Sequence, residues 1–226
     1  MKKKLLIFHH YGGLGGAGLS LLHILESLDK KRYEVTVVCP KSPGDMINEI
    51  KKIIGVEIHE TDSTPIIFPH YSGGSKFFLH PTYLKGIFRL FRDYSNVYGI
   101  IEKYKPDLII TNSMTLFWIN KAAKKMNIKN ICFHRETYAK GLLGIRTAYL
   151  KRGLSNSDAV CFISKYDLEE SKSIKTKKTI IYDKVDLEKY RSPGQSISNI
   201  EIHAQKKYIL YLGGVSKLKG FHTMID

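Results

Sequence analysis

Directly after the first apolar run, Gly13-Leu14-Gly15-Gly16-Ala17-Gly18 meets a GxGxxG spacing and opens a stretch of helical periodicity. Glycines at such a turn let backbone N–H groups approach a bound group closely. The positive end of the helix that follows favours negative charge, so the chemistry these residues suit is phosphate binding. The bland alternative is a tight strand-to-helix turn that needs glycine for its backbone alone. A nicotinamide-dependent enzyme would place a carboxylate near the end of the second strand to hold the ribose. Here that strand reads Val37-Val38-Cys39-Pro40-Lys41. No acid stands there, although Lys41 suits a 2′-phosphate, which keeps an NADP-dependent oxidoreductase as the alternative enzyme.

Histidines supply the second kind of chemistry. His9 and His10 leave the first apolar run and His134 ends the fifth. Ligands of open α/β sheets bind in the crevice outside the carboxyl ends of the strands. His134 is therefore the candidate catalytic group, and the three imidazoles are expected to meet at one cleft. Asn112 and Ser113 end the fourth strand and Ser164 the sixth, giving the rim small polar groups that serve equally well as helix caps. Cys39, Cys132 and Cys161 sit in or at the end of apolar runs and form no CxxC or His-Cys spacing, so no metal and no cofactor is expected.

The elements that must position these groups alternate. Strand-like runs at Lys4 to Phe8, Val35 to Cys39, Val56 to His59, Leu108 to Thr111, Ile131 to Phe133, Ala159 to Ile163 and Thr179 to Tyr182 are separated by helical stretches. Leu21, Leu22, Leu25 and Leu28 form one apolar stripe, Met46, Ile47, Ile50, Ile53 and Ile54 another, and Val97, Ile100, Ile101 and Tyr104 a third. That alternation predicts a Rossmann-like α/β fold, a doubly wound parallel sheet covered by helices on both faces. Thr61 to Pro81 reads as a long irregular loop. Ser, Pro, Gly and Asn then accumulate around Arg191 to Gln205, and a fresh strand begins at Tyr208. The expected organisation is a first domain over 1–190, a linker over 191–207 and the start of a second domain over 208–226.

With 43% hydrophobic residues the chain can bury a full core. No apolar run approaches the roughly 20 residues that span a bilayer, and no cleavable leader is legible, so a cytoplasmic protein is expected. A net charge of +15 favours anionic partners. No zinc finger or basic zipper is present, and nucleic acid is not expected. Leu84, Ile87, Phe88 and Phe91 share a helix face beside a stripe of Lys85, Arg89 and Arg92, near the loop aromatics Phe77 and Phe78. Together with the acid-free stretch from Thr137 to Ser157, which holds Lys140, Arg146, Lys151 and Arg152, this stripe reads as a contact with the inner face of an anionic membrane. The alternative is a solvated basic face.

In this order the pieces resemble the retaining glycosyltransferases of family 4, whose GT-B fold pairs two Rossmann-like domains across a cleft. The strand followed by Gly15-Gly16-Ala17 resembles the family's glycine loop. Lys105-Pro106-Asp107-Leu108-Ile109-Ile110 resembles its "PD" strand entry, and His134 its histidine after the fifth strand. Asn156 to Val160 through Ser164 matches the segment whose strand ends in serine. Ile181-Tyr182-Asp183-Lys184-Val185-Asp186 resembles its "NGVD" segment, with Asp and Lys in place of Asn and Gly. Leu212-Gly213-Gly214-Val215 to Lys219-Gly220 resembles the opening of the donor domain, although Gly214 replaces an arginine that contacts the donor diphosphate, and Gly18 stands where a Glu is common.

The resemblance implies transfer of a sugar from a nucleotide diphosphate sugar to an acceptor with retention. Gly13, Gly15, Gly16, Asn112, Ser164, Lys219 and Gly220 would bind donor or substrate. The family's paired glutamates would lie beyond Asp226, so the chain by itself is expected to be inactive. A lipid-linked precursor of envelope polysaccharide is the expected acceptor. The reading outside enzymology is an acceptor-side subunit of a split transferase.

Overall fold

The computed structural model describes residues 1–62, 81–138, 144–185, 187–191, 207, 209, 211 and 221–225, with side chains of 81–91, 189 and 190 outside the described part. The chain divides into two units, Met1–Asp183 and Lys184–Asp226. In the first, seven strands form one sheet: β1 (Lys3–Phe8), β2 (Tyr33–Pro40), β3 (Val56–Thr61), β4 (Leu108–Thr111), β5 (Lys129–His134), β6 (Ala159–Phe162) and β7 (Lys177–Ile180). Their order is β3-β2-β1-β4-β5-β6-β7 and every pairing is parallel. β1 lies inside the sheet with β2 on one side and β4 on the other, so the order reverses between β1 and β4 and opens a crevice at their carboxyl ends.

The inner strands are largely apolar because both their faces are covered, whereas the edge strands β3 and β7 carry polar residues and are only part-buried. Leu5, Ile7, Val35, Val37 and Cys39 face one core with Leu21 and Leu25 of α1 (Gly16–Ser27) and Met46, Ile47 and Ile50 of α2 (Asp45–Lys51). Leu6, Phe8, Val38 and Cys132 face the other, packed by Val97 and Ile101 of α3 (Pro81–Tyr104), by α4 (Phe117–Lys125) and by α5 (Ile145–Leu154). Side chains alternate between these faces with period two. A short α6 (Lys165–Glu170) joins β6 to β7.

Differences from the sequence reading have local causes. The strand ends match the expected ones within two residues, with β2, β5 and β7 each beginning two residues earlier. The stripe expected to run to Ile54 stops sooner: α2 ends at Lys51, Gly55 turns with φ +80°, and Ile54 is 91% exposed. The two apolar faces around Tyr83 to Arg92 and Val97 to Tyr104 belong to one 24-residue helix, because no Gly or Pro interrupts residues 92–97. Most of the loop expected over Thr61 to Pro81, the linker over 192–206 and most of the strand expected from Tyr208 lie outside the described residues. In the second unit the described helices are α7 (Leu187–Arg191) and α8 (Phe221–Ile225).

Candidate active site at the carboxyl edge

The glycine loop lies between β1 and α1. Gly12 is the position with the hardest steric constraint. A Cβ there would lie 2.5 Å from the Pro40 carbonyl oxygen, 2.6 Å from the Ser42 carbonyl carbon and closer still to Ser42 O. The β2–α2 connection is held against it, since the Gly12 carbonyl accepts from Gly44 N–H at 3.2 Å and Met46 N–H at 2.9 Å. Gly13 faces the Tyr11 ring, whereas Gly15 and Gly16 open onto free space. Gly15 is the N-cap of α1 in an extended conformation with no side-chain cap, and the first turn holds no acid. The amides of this turn are thus placed for an acceptor from outside the helix.

Beneath the turn, four groups from distant parts of the chain are joined by hydrogen bonds. Asn112 follows β4, is fully buried, and donates through Nδ2 to the Ala17 carbonyl at 2.8 Å and toward His9 Nδ1 at 3.1 Å. Its Oδ1 accepts from Arg135 Nε at 2.6 Å, and Arg135 Nη1 pairs with Asp183 Oδ1 at 2.7 Å. The Arg135 side chain is only 4% exposed. Burial, with His10 and Arg135 nearby, pushes the His9 imidazole down to about 3.

A buried carboxylate stands one residue further on. Glu136 Oε1 accepts from Ser113 Oγ at 2.5 Å and Oε2 from Met114 N–H at 3.1 Å. Burial pushes its carboxyl up to about 7 against these donors and Arg135. Ser113 also caps the turn of 3₁₀ helix Met114–Leu116.

His134, the expected catalytic group, is placed differently from that expectation. It shares the strand face of Cys132, and its ring is 0% exposed, packed 4.8 Å from the Tyr138 ring and 4.9 Å from Phe162. Burial pushes it down to about 4, opposed by Asp167. His9 continues the other face, with Leu5 and Ile7. The three imidazoles therefore do not meet: His9 and His10 stand 5.0 Å apart, and His134 turns to the opposite side of the sheet. The residue of this segment linked to His9 is Arg135, which follows His134 and reaches His9 through Asn112.

The other expected site residues fall as follows. Ser164 is the N-cap of α6, accepting from Asp167 N–H at 3.1 Å and donating to Asp167 Oδ2 at 2.5 Å, the capping alternative raised from its type. Lys219, Gly220 and Lys140 lie outside the described residues, and Lys85 and Arg89 are described only as part of α3. Arg92 is exposed and contacts Asp93 at 3.4 Å. Lys151 lies over the Tyr138 ring at 5.1 Å and donates to the Glu170 carbonyl. Arg135, Glu136 and Gly12 were missed. Two charged residues directly after a strand that ends in Phe133-His134 were the available signal.

On the α3 face a cleft of about 700 Å³ opens at the carboxyl ends of β1, β2 and β3. Its lining mixes Glu60, Asp62 and Asp93 with Asn96, Lys103 and Trp118. Among the described residues no group of three or more His, Cys, Asp or Glu could hold a metal ion.

Residues 14–189 match the family model described as Glycosyltransferase Family 4. No curated protein matches the sequence. Among solved structures, Anabaena Alr3699/HepE, in complex with UDP and glucose, is 18% identical, with 83% of this chain and 46% of that one covered at a TM-score of 0.52. Acinetobacter baumannii MurG is 14% identical, with 85% and 50% covered and a TM-score of 0.51. Arabidopsis thaliana UGT89C1, complexed with UDP, is 18% identical, with 80% and 52% covered and a TM-score of 0.51. At these identities the likeness is one of fold, and the chain spans about half the length of each of these structures.

Proposed function

The chain belongs to glycosyltransferase family 4, and from that premise we propose that it is the acceptor-side half of a transferase that moves a sugar from a nucleoside diphosphate sugar to an acceptor hydroxyl with retention. The observation that carries this reading is the uncapped N-terminal turn of α1, where Gly15 and Gly16 leave the backbone open beside the chain that runs from buried Asn112 through Arg135 to Asp183 at the surface. A leaving diphosphate concentrates negative charge that such a turn stabilises without a metal. The cleft along α3 takes the acceptor, and its carboxylates and amide suit a hydroxyl-rich molecule. Lys219 and Gly220 would add donor contacts from the second unit. His134 would act through the walls that enclose it, since its ring does not reach the open turn.

UDP and GDP are expected to bind at the amides of this turn. Titration of the ¹⁵N-labelled chain with UDP, GDP and NADPH tests the reading. Shifts confined to the amides of 15–19 with either nucleoside diphosphate support it. Tighter binding of NADPH would put the oxidoreductase reading in its place.

A lipid-linked acceptor at an anionic membrane belongs to the same proposal. It rests on the net charge of +15 and on the Lys85, Arg89 and Arg92 stripe of α3. Among the described residues no helix is long and apolar enough to cross a membrane, so attachment would be peripheral. Each basic residue near an anionic surface contributes about 1 kcal/mol. Co-sedimentation with anionic vesicles should therefore occur at low salt, weaken as salt rises and largely disappear when the three residues are changed to Glu. Binding that ignores salt or survives the reversals would leave the stripe as a solvated face.

A further inference from the structure

We propose that Arg135 is a positioning residue: by fixing the amide of Asn112 it holds His9 as a neutral imidazole protonated on Nε2 and anchors the first turn of α1. The argument rests on what each group can donate. A guanidinium only donates, so the 2.6 Å approach of Arg135 Nε to Asn112 requires the carboxamide oxygen on that side. The Ala17 carbonyl only accepts, so its 2.8 Å contact independently requires the NH₂ on the other side. Two unrelated partners thus set one orientation of the amide. Its remaining N–H faces His9 Nδ1 at 3.1 Å, which must present a lone pair there. A proton on Nδ1 would bring two donors face to face. The His9 proton therefore sits on Nε2, the atom 3.7 Å from where a Cβ at Gly18 would stand in the first turn of α1.

Arg135 is fixed in turn. Its guanidinium lies over the Phe133 ring at 5.0 Å and pairs with Asp183, the last residue of the first unit. A covered cation that lost this carboxylate would carry a large desolvation penalty, so the pair keeps the arginine in place. The titratable and charged groups that bear on the His9 ring are His10 beside it and Arg135 across Asn112. The nearby carboxylates are engaged elsewhere, Asp183 by Arg135 and Glu136 by Ser113 and Met114. The Asp that replaces the family's Asn at 183 supplies the charge partner for an arginine that sequence reading passed over.

The ligand part of this inference rests on the phosphate reading of the α1 turn, whereas the tautomer does not. Long-range ¹H–¹⁵N correlation of the histidine rings in the ¹⁵N-labelled chain, between pH 5 and 8, reads the tautomer directly. His9 is expected as the Nε2–H form and without titration. Asn112→Asp keeps an acceptor for Arg135 and offers a second to Nδ1–H, so His9 should change tautomer or become an imidazolium. Arg135→Leu frees the Asn112 amide and should give mixed tautomers with UDP binding about tenfold weaker, and Arg135→Lys should restore the single form. A wild-type ring protonated on Nδ1, a ring that titrates in this window, or an unchanged tautomer in Asn112→Asp overturns the inference. If Arg135→Leu does not fold, Asn112→Asp decides. If the tautomers behave as stated but the wild-type chain binds no UDP, the positioning stands and the phosphate reading fails.

Discussion

Acidification from pH 6.5 to pH 4 is expected to remove a large part of the chain's stability, because two imidazoles are buried neutral. His9 and His134 are held down to about 3 and about 4, mainly by burial. In the unfolded chain both would take up a proton near the ordinary histidine value of about 6.5. Below that value the unfolded state binds protons that the folded state refuses, so stability falls as pH falls. At about 1.4 kcal/mol per pH unit the two groups together remove about 6 kcal/mol by pH 4.

Glu136 works in the opposite sense. Its carboxyl is held up to about 7, so its stabilising effect is full below about 4.5 and fades as pH rises through 7. It returns about 2 to 3 kcal/mol on acidification, leaving a net loss of about 3 to 4 kcal/mol against a typical total of about 5–15 kcal/mol. Chemical denaturation across this range checks the sum, and Glu136→Gln should steepen the decline. His134→Gln should flatten the decline while lowering stability at neutral pH, since the ring fills space between Tyr138 and Phe162. A wild-type stability that is level from pH 6.5 to 4, or rises on acidification, would contradict the buried neutral assignments.

Replacing Gly12 with alanine is expected to cost about 3 kcal/mol or more, at the upper end of overpacking effects. The obstacle is backbone, Pro40 and Ser42, so no rotamer change relieves it. Moving that segment away would also stretch the bonds from Gly44 and Met46 to the Gly12 carbonyl, and with them the start of α2. Gly16→Ala provides the contrast. Nothing lies within 4 Å of its added methyl and the residue is helical, so its stability should hold or rise by up to about 1 kcal/mol. The same methyl would narrow the approach to the α1 amides, and nucleotide-induced shifts there should weaken. Equal melting temperatures for wild type and Gly12→Ala would show that the β2–α2 connection yields, contrary to this account.

Much of the fold was legible because the signals were local. A strand covered on both faces reads as an unbroken apolar run, as in Leu5 to Phe8, and its end is marked where that run stops. Ser164 capping α6 was legible for the same reason, with an acid three residues on that completes the cap. The glycine loop was located, although the glycine under the tightest constraint, Gly12, was overlooked. Nothing in its neighbours reports that a loop 30 residues later passes against it.

By itself, then, the sequence determined the order of strands and helices, the parallel α/β class and the place of the loop, because period, glycine and apolar runs act over a few residues. The tertiary structure decided which side chains share the site. Strand alternation puts Cys132 and His134 on one face and Phe133 and Arg135 on the other, but only the winding of the chain sets which face meets α1 and the glycine loop. Asn112 and His9 are 103 positions apart, and Arg135 and Asp183 are 48. Their bonds exist because β4 was laid beside β1 and β5 beside β4 in the sheet, an arrangement stabilised by burial over the whole domain and carried by no short stretch of residues.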